Sequence, residues 1–177
     1  MPLKMRVGLG QFNQITDEIL AFIKQIGADD FLMNTPQLPG NKQWEYEDLA
    51  AIKTQADNAD LRLMALENVP TSFYDKIMLG EEGRETQIQH MSNTVRNMGK
   101  AGIPILGYHW MPNSVWRTQD PATIRGGARS TRFALVEHSS EELTHDRVYT
   151  HEEMWENYCW YLERILPVAE AANVRLA

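Results

Sequence analysis

The chain has 177 residues and a formal net charge of −7, with 24 acidic against 17 basic side chains. This acidic balance includes no basic arm or stripe, so we expect no nucleic-acid partner. The longest apolar runs have the length of a strand, far below the roughly 20 residues that span a bilayer, so we expect no membrane partner either.

The start of the chain and its cysteine content bear on location. Residues 1–6 lead directly into a short apolar segment, without the apolar region and cleavage site of a signal peptide. The single cysteine, Cys159, allows no internal disulfide and suits a reducing compartment. We therefore expect a cytoplasmic protein.

Short apolar runs alternate with amphipathic stretches along the first hundred residues. Residues 5–10 form the first predicted strand, and the helix after it starts at the capping residue Thr16 and stops at Gly27. The second and third predicted strands, 30–33 and 61–66, precede helices over 44–59 and 84–101. The fourth predicted strand is 103–107.

The second half of the chain begins with a long irregular stretch. After it, Thr150 and Glu153 have the spacing of a capping box and predict the start of another helix. Pro167 lies inside that helical pattern and predicts a kink or a break. The last residues, 171–177, resemble the earlier helix-to-strand joints, which indicates the start of a fifth strand.

Strands that alternate with helices predict an α/β protein with a parallel sheet, either doubly wound or a (βα)₈ barrel. No Gly-x-Gly-x-x-Gly motif follows the first strand, which disfavours a dinucleotide-binding sheet. A complete barrel needs about 250 residues. We therefore interpret residues 1–177 as a single partial domain, the N-terminal half of a TIM barrel with four βα units and the start of strand five.

Catalytic residues of such barrels lie where the strands end, and each predicted strand here ends in a polar group. For Gln11 and Asn34 we favour the ordinary explanation that strand ends meet polar loops. Glu67 directly ends an apolar strand, where a carboxylate needs a partner or a ligand. His109 follows the fourth strand and is suited to proton transfer, substrate binding or metal binding, or equally to a bond with a backbone carbonyl.

The connection over residues 108–150 is much longer than a typical βα loop and is interpreted as a lid-like loop. It combines aromatic with basic side chains, which suits a carboxylate or phosphate ligand: Trp110, Trp116, Phe133, Arg117, Arg125, Arg129 and Arg132. We expect two of the four arginines to contact the substrate. The alternative is that they form surface ion pairs with Glu137, Glu141 and Glu142.

Several segments together resemble the mannonate dehydratase family, a group of metal-dependent sugar-acid dehydratases with a barrel similar to xylose isomerase. They are LENVP (66–70), IMLG (77–80), NMGKAGI (97–103), YHWMP (108–112) and WRT (116–118). The resemblance implies dehydration of D-mannonate to 2-dehydro-3-deoxy-D-gluconate in hexuronate breakdown, with Mn²⁺ or Fe²⁺ as cofactor.

The resemblance also implies which residues contact the sugar acid. Glu67 and His109 would line the sugar pocket, and Arg117, Arg125 and Arg132 would lie in the covering loop. Together with Trp110 and Trp116, these are the residues that we expect to bind the substrate. The metal ligands and the main acid/base residues of the family come from the second half of the barrel, so we assign neither here. The parent protein is then a hydro-lyase, and we expect the 177-residue chain alone to be inactive.

Two alternatives stay open. A sugar isomerase or epimerase on the same barrel shares these strand ends, although the arginines favour a carboxylate substrate, and comparing aldonates with free sugars separates the two. A half-barrel without catalysis would serve as an association module. Because the first and fifth strands expose open edges, we expect self-association in either case and a homo-oligomer.

Overall fold

The computed structural model describes residues 5–138 and 143–177. In chain order the strands and helices are β1 (Gly8–Phe12), α1 (Asp17–Gln25), β2 (Asp30–Asn34), α2 (Tyr46–Asn58), β3 (Arg62–Glu67), α3 (Asp75–Leu79), α4 (Arg84–Ala101), β4 (Ile105–Gly107), β5 (Gln119–Thr123), β6 (Arg129–Arg132), α5 (His151–Ala171) and β7 (Arg175–Leu176). Within these described ranges, no helix is long and apolar enough to cross a membrane.

Five strands form one parallel sheet in the order β1-β2-β3-β4-β7, which is the order in which they occur along the chain, while β5 and β6 pair only with each other. The predicted start of a fifth barrel strand is confirmed, because Ile105 pairs with Arg175 and Leu106 with Leu176. This parallel order, with helices between successive strands, confirms the predicted fold class. The sheet ends at β1 on one side and β7 on the other.

Both predicted helix starts have the expected caps. The Thr16 hydroxyl accepts a hydrogen bond from the Ile19 backbone N–H (3.2 Å). Thr150 and Glu153 form a complete capping box. The prediction of a break at Pro167 is wrong, because α5 continues through this residue to Ala171. Pro167 lies on the exposed side, and the buried neighbours Ile165 and Ala169 hold this turn against the core.

The hydrophobic core lies between one face of the sheet and the helices. Phe31, Met33, Leu63, Leu66 and Leu106 supply the strand side of it. The helices contribute side chains at helical spacing, among them Ile23, Leu49, Ile52, Val95, Met98, Tyr161 and Ile165. This packing fixes the strands in register and so fixes where their carboxyl ends lie.

The connection over 108–150 was predicted to be irregular, but it contains an antiparallel hairpin of β5 and β6. Gly126 and Gly127 have positive φ angles of 69° and 79° in its turn, a conformation that glycine adopts without a steric cost. All four side chains of β6 are exposed. The lid-like role of this segment stays a prediction.

Asp30 anchors the amino-terminal side of the sheet. Its carboxylate accepts paired hydrogen bonds from Arg62 (2.8 Å each) and from Arg6 (2.9 Å each). The bonds from Arg62, and then those from Arg6, hold the pKa of Asp30 well below its usual value, although burial acts in the opposite direction. The carboxylate therefore ties the chain before β1 to the start of β3.

Replacing Asp30 by asparagine should lower the free energy of unfolding by about 2 kcal/mol at about pH 7, because both guanidinium groups lose a charged acceptor. The native pKa is depressed, so this stabilisation exists above the unfolded-state pKa of about 3.9 and is lost as the pH falls below it. Because the native pKa lies well below the unfolded-state pKa, the difference between wild type and variant in urea unfolding should shrink steadily as the pH falls below about 4.

Asp60→Asn is the matched control. Asp60 is 91% exposed and lies 3.4 Å from Lys24, so its loss should cost less than about 0.5 kcal/mol at any pH. Equal effects of the two substitutions, or an Asp30→Asn effect that persists in acid, would contradict the anchoring role.

Candidate functional site

Polar side chains from three adjacent strands meet at the carboxyl end of the sheet. Gln11 lies in β1, Asn34 ends β2 and Glu67 ends β3. The register pairs Asn34 with Glu67 and Glu67 with Gly107, so these ends lie at one level. Asn68 and His109 follow in the adjoining loops. We call Gln11, Asn34, Glu67, Asn68 and His109 the strand-end cluster.

Hydrogen bonds join the strand-end cluster into one continuous chain. The Gln11 Nε2 donates to the Glu67 carboxylate, and the Asn34 Nδ2 donates to the Gln11 Oε1 (2.8 Å). The Asn68 Nδ2 donates to the Asn34 Oδ1 (3.2 Å). This series of hydrogen bonds ends at His109, whose Nδ1 lies 2.7 Å from the Asn68 Oδ1. An ionisable group therefore stands at each end, with three amides between them.

Backbone contacts and a buried tyrosine fix the orientation of this cluster. Asn68 has a φ of 60°, in the left-handed region that asparagine tolerates, and its N–H donates to the Gly107 carbonyl (2.8 Å). The Tyr74 hydroxyl donates to the His109 carbonyl (2.9 Å), and its ring stands edge-on to the imidazole with centroids 6.0 Å apart. Burial raises the pKa of Tyr74 to about 12, so this donor keeps its proton at neutral pH.

The structure brings Glu67 and His109, two of the sequence candidates, into one cluster. It also includes Gln11 and Asn34, for which an ordinary polar loop had seemed the better explanation. Asn68 was missed as a site residue. Its signal was its place directly after Glu67, because asparagine is one of the few residues that adopt the left-handed conformation found there.

Trp110 lies apart from these hydrogen bonds and packs on α5. Its ring centroid is 5.0 Å from that of Tyr158 and 5.4 Å from that of Tyr161. Within the part of the chain that the structure describes, its Nε1 and the Tyr161 hydroxyl are enclosed without a hydrogen-bond partner. Tyr108, from the same loop, bonds to the Tyr158 hydroxyl (2.8 Å). Trp110 thus joins β4 to α5, and its contact with substrate stays a prediction.

Trp116 and Arg117 line an open groove of about 800 Å³ in the long connection. His138 lies between two aromatic rings there, with centroid distances of 4.7 Å to Trp116 and 5.9 Å to Phe133. The Arg117 Nη1 donates to the Trp116 carbonyl (2.9 Å). The groove is mainly apolar, with Met111, Val115, Phe133, Leu143, Val148 and Met154 in its walls.

The two remaining arginine candidates lie on the hairpin. Arg132 forms paired bonds with Glu137 (2.6 and 2.7 Å), which hold the pKa of Glu137 below its usual value. Arg125 is exposed in the hairpin turn. Neither of them, nor Arg117, hydrogen-bonds to the strand-end cluster within residues 5–138 and 143–177. For Arg132 the structure shows the ion pair that was the alternative, while substrate contact by these arginines stays a prediction.

The strand-end cluster does not by itself fit a divalent metal ion. Glu67 and His109 are its only ionisable members, and the other three are amides. Across the part of the chain that the structure describes, no group of three or more His, Cys, Asp or Glu side chains is placed to hold a metal. The groups present can form hydrogen bonds and, at Glu67 and His109, can exchange a proton.

A parallel sheet ordered as in the chain, with a polar site at its carboxyl end, places the protein in the TIM-barrel class. The family model of D-mannonate dehydratase (UxuA) matches residues 5–148, and the chain belongs to this family. The resemblance seen in the sequence is thereby confirmed.

Curated relatives agree with this assignment. Mannonate dehydratase of Streptococcus equi subsp. zooepidemicus is 27% identical over 79% of this chain and 45% of its own length. The mannonate dehydratase of Shouchella clausii is 25% identical over 98% of this chain and 57% of its own length. The chain thus spans about half the length of the curated relatives it matches.

Two crystal structures show the fold. Mannonate dehydratase from Streptococcus suis serotype 2 superposes with a TM-score of 0.84 at 23% identity, covering 99% of this chain and 53% of that one. D-psicose 3-epimerase from Clostridium cellulolyticum H10 gives a TM-score of 0.56 at 12% identity, covering 97% and 51%. Both match along half of their length, as expected for half of a barrel.

Proposed function

We propose that this chain forms the N-terminal half of a D-mannonate dehydratase. The whole protein would remove water from D-mannonate to give 2-dehydro-3-deoxy-D-gluconate, a step of hexuronate breakdown. Family membership carries this proposal. The joining of Glu67 and His109 at the carboxyl end of the sheet supports it, because barrel enzymes bind their substrates there.

The residues of the strand-end cluster suit a polyhydroxylated acid. The amides of Gln11, Asn34 and Asn68 offer donors and acceptors that can exchange their present bonds for sugar hydroxyls. His109 supplies a group able to transfer a proton at neutral pH. Dehydration requires removal of the proton next to the carboxylate and departure of the neighbouring hydroxyl as water, and arginines of the long connection would neutralise the carboxylate.

The remaining parts of the proposal concern the whole protein. Its cofactor would be Mn²⁺ or Fe²⁺, with ligands from outside this chain, and no role given to the strand-end cluster depends on that ion. It would act in the cytoplasm as a homo-oligomer. In the 177-residue chain by itself, β1 and β7 lie at the edges of the sheet, and such open edges pair readily with another strand; in the whole barrel the second half would cover them.

Complementation tests this function. The purified chain, given D-mannonate and Mn²⁺, should form no 2-dehydro-3-deoxy-D-gluconate, whereas addition of the C-terminal half of a family barrel should restore product formation. A gain with D-mannonate but not with free ketoses would separate dehydration from epimerisation. If the completed barrel converts free sugars and leaves aldonates unchanged, the proposal is wrong.

A further inference from the structure

The chain of hydrogen bonds in the strand-end cluster has a defined direction because it ends on a carboxylate. An ionised Glu67 side chain can only accept, so the Gln11 group that faces it must be the amide nitrogen. The Gln11 oxygen is then the atom that faces Asn34, and it accepts from the Asn34 Nδ2 at 2.8 Å. Each amide in turn fixes the orientation of the next.

The same reasoning reaches His109. The Asn34 oxygen accepts from the Asn68 Nδ2 at 3.2 Å and also from the Thr35 hydroxyl at 3.0 Å, as an oxygen with two lone pairs can. The Asn68 oxygen must therefore face the imidazole, and it lies 2.7 Å from Nδ1. An amide oxygen donates nothing, so Nδ1 must carry the proton.

We infer that Glu67, acting through three amides, holds neutral His109 in the tautomer with its proton on Nδ1 and a lone pair on Nε2. Asn68 is the positioning residue that sets this state. Among the described residues Nε2 has no hydrogen-bond partner, and it is not one of the enclosed unpartnered atoms, so a ligand can reach it. Nε2 is thus prepared to accept a hydrogen bond or a proton.

This tautomer follows from the hydrogen bonds alone, and only its use on a sugar acid rests on the proposed function. A hydroxyl or an acidic C–H of the substrate would meet an acceptor at Nε2, where the opposite tautomer would present a donor. The arrangement therefore makes the Nε2 atom of His109 an acceptor for a proton or a hydrogen bond from the substrate. Glu67 acts on it from a distance.

Nitrogen NMR of the 177-residue chain tests the tautomer without substrate or activity. In ¹⁵N-histidine-labelled protein at about pH 8, above the ordinary imidazole pKa of about 6.5, His109 should show a protonated Nδ1 and an unprotonated Nε2. The signals are assigned by their loss in His109→Gln. A proton on Nε2 in the wild-type protein would overturn the inference, whatever the chain does with mannonate.

Two substitutions test the part played by Asn68, and both suit its left-handed backbone. Asn68→Asp loses the donor to the Asn34 oxygen but keeps an acceptor facing Nδ1, so His109 should keep its proton on Nδ1. Asn68→Gly removes the acceptor, and the Nε2–H form should become the main one. An unchanged tautomer in Asn68→Gly, or a switch in Asn68→Asp, would overturn the assignment; the Asp variant decides alone if the Gly variant does not fold.

Discussion

Alanine at position 99 should destabilise the protein by about 3 kcal/mol, the upper end of the usual cost of overpacking. In an ordinary helix interior, replacing glycine by alanine raises the free energy of unfolding by about 1 kcal/mol. Here we expect a decrease instead. Gly99 lies in α4, and a Cβ atom there would stand 2.3 Å from the carbonyl oxygen of Ala172. Relief of that clash requires α4 and α5 to separate.

The cost is high because the clashing atom belongs to the backbone. Ala172 caps α5 and leads through a short turn to β7, so its carbonyl cannot move without disturbing both. Urea unfolding of Gly99→Ala gives the free-energy change directly. Gly8→Ala is the matched control, since its Cβ would meet Asp30 at 3.8 Å, an ordinary contact. A Gly99→Ala protein as stable as wild type would contradict this close approach of the helices.

The contact between α4 and α5 illustrates how far the sequence could predict the fold. The glycine and alanine that end each helix, and the capping residues Thr16 and Thr150, predicted where helices start and stop because these signals are local. The close packing of α4 on α5 is not local. It depends on Gly99 and Ala172 meeting across the fold, and nothing within either helix sequence indicates that pairing.

The hairpin of β5 and β6 was missed for a related reason. A strand is recognised by alternation of buried and exposed side chains, and β6 exposes all of its side chains while β5 buries only Ala122. Pro121 further weakens the pattern of β5. With no core to face, the two strands carry no hydrophobic period. Pairing between them is then visible only in the structure.

The sequence could predict some residues of the candidate site but not others. Glu67 and His109 could be predicted because each follows an apolar strand of a parallel sheet. Participation of Asn34 depends on the register that sets it opposite Glu67, and that of Asn68 depends on a single positive φ angle. Arg132 pairs with Glu137 across a turn of the same loop, a choice among several carboxylates that composition alone left open.

Asparagine in place of His109 should reduce kcat/KM for D-mannonate dehydration by roughly 10²- to 10⁴-fold in the enzyme that contains both halves of the barrel. The asparagine amide can still donate to the Asn68 oxygen, as Nδ1 does at 2.7 Å, so the hydrogen-bonded cluster should remain. What disappears is Nε2 and its ability to accept a proton. The loss should therefore appear mainly in kcat, with little change in the free energy of unfolding.

Steady-state kinetics and urea unfolding of the same preparations separate the chemical role of His109 from a structural one. His151→Asn is the matched control, because His151 is exposed in the first turn of α5 and its loss should leave both measurements near wild type. Should His109→Asn retain full kcat, His109 has no part in proton transfer, even if its tautomer is as inferred. If His109→Asn lowers both kcat and the free energy of unfolding, His109 has a structural role. Asn68 and Glu67 would then serve only to hold the loop.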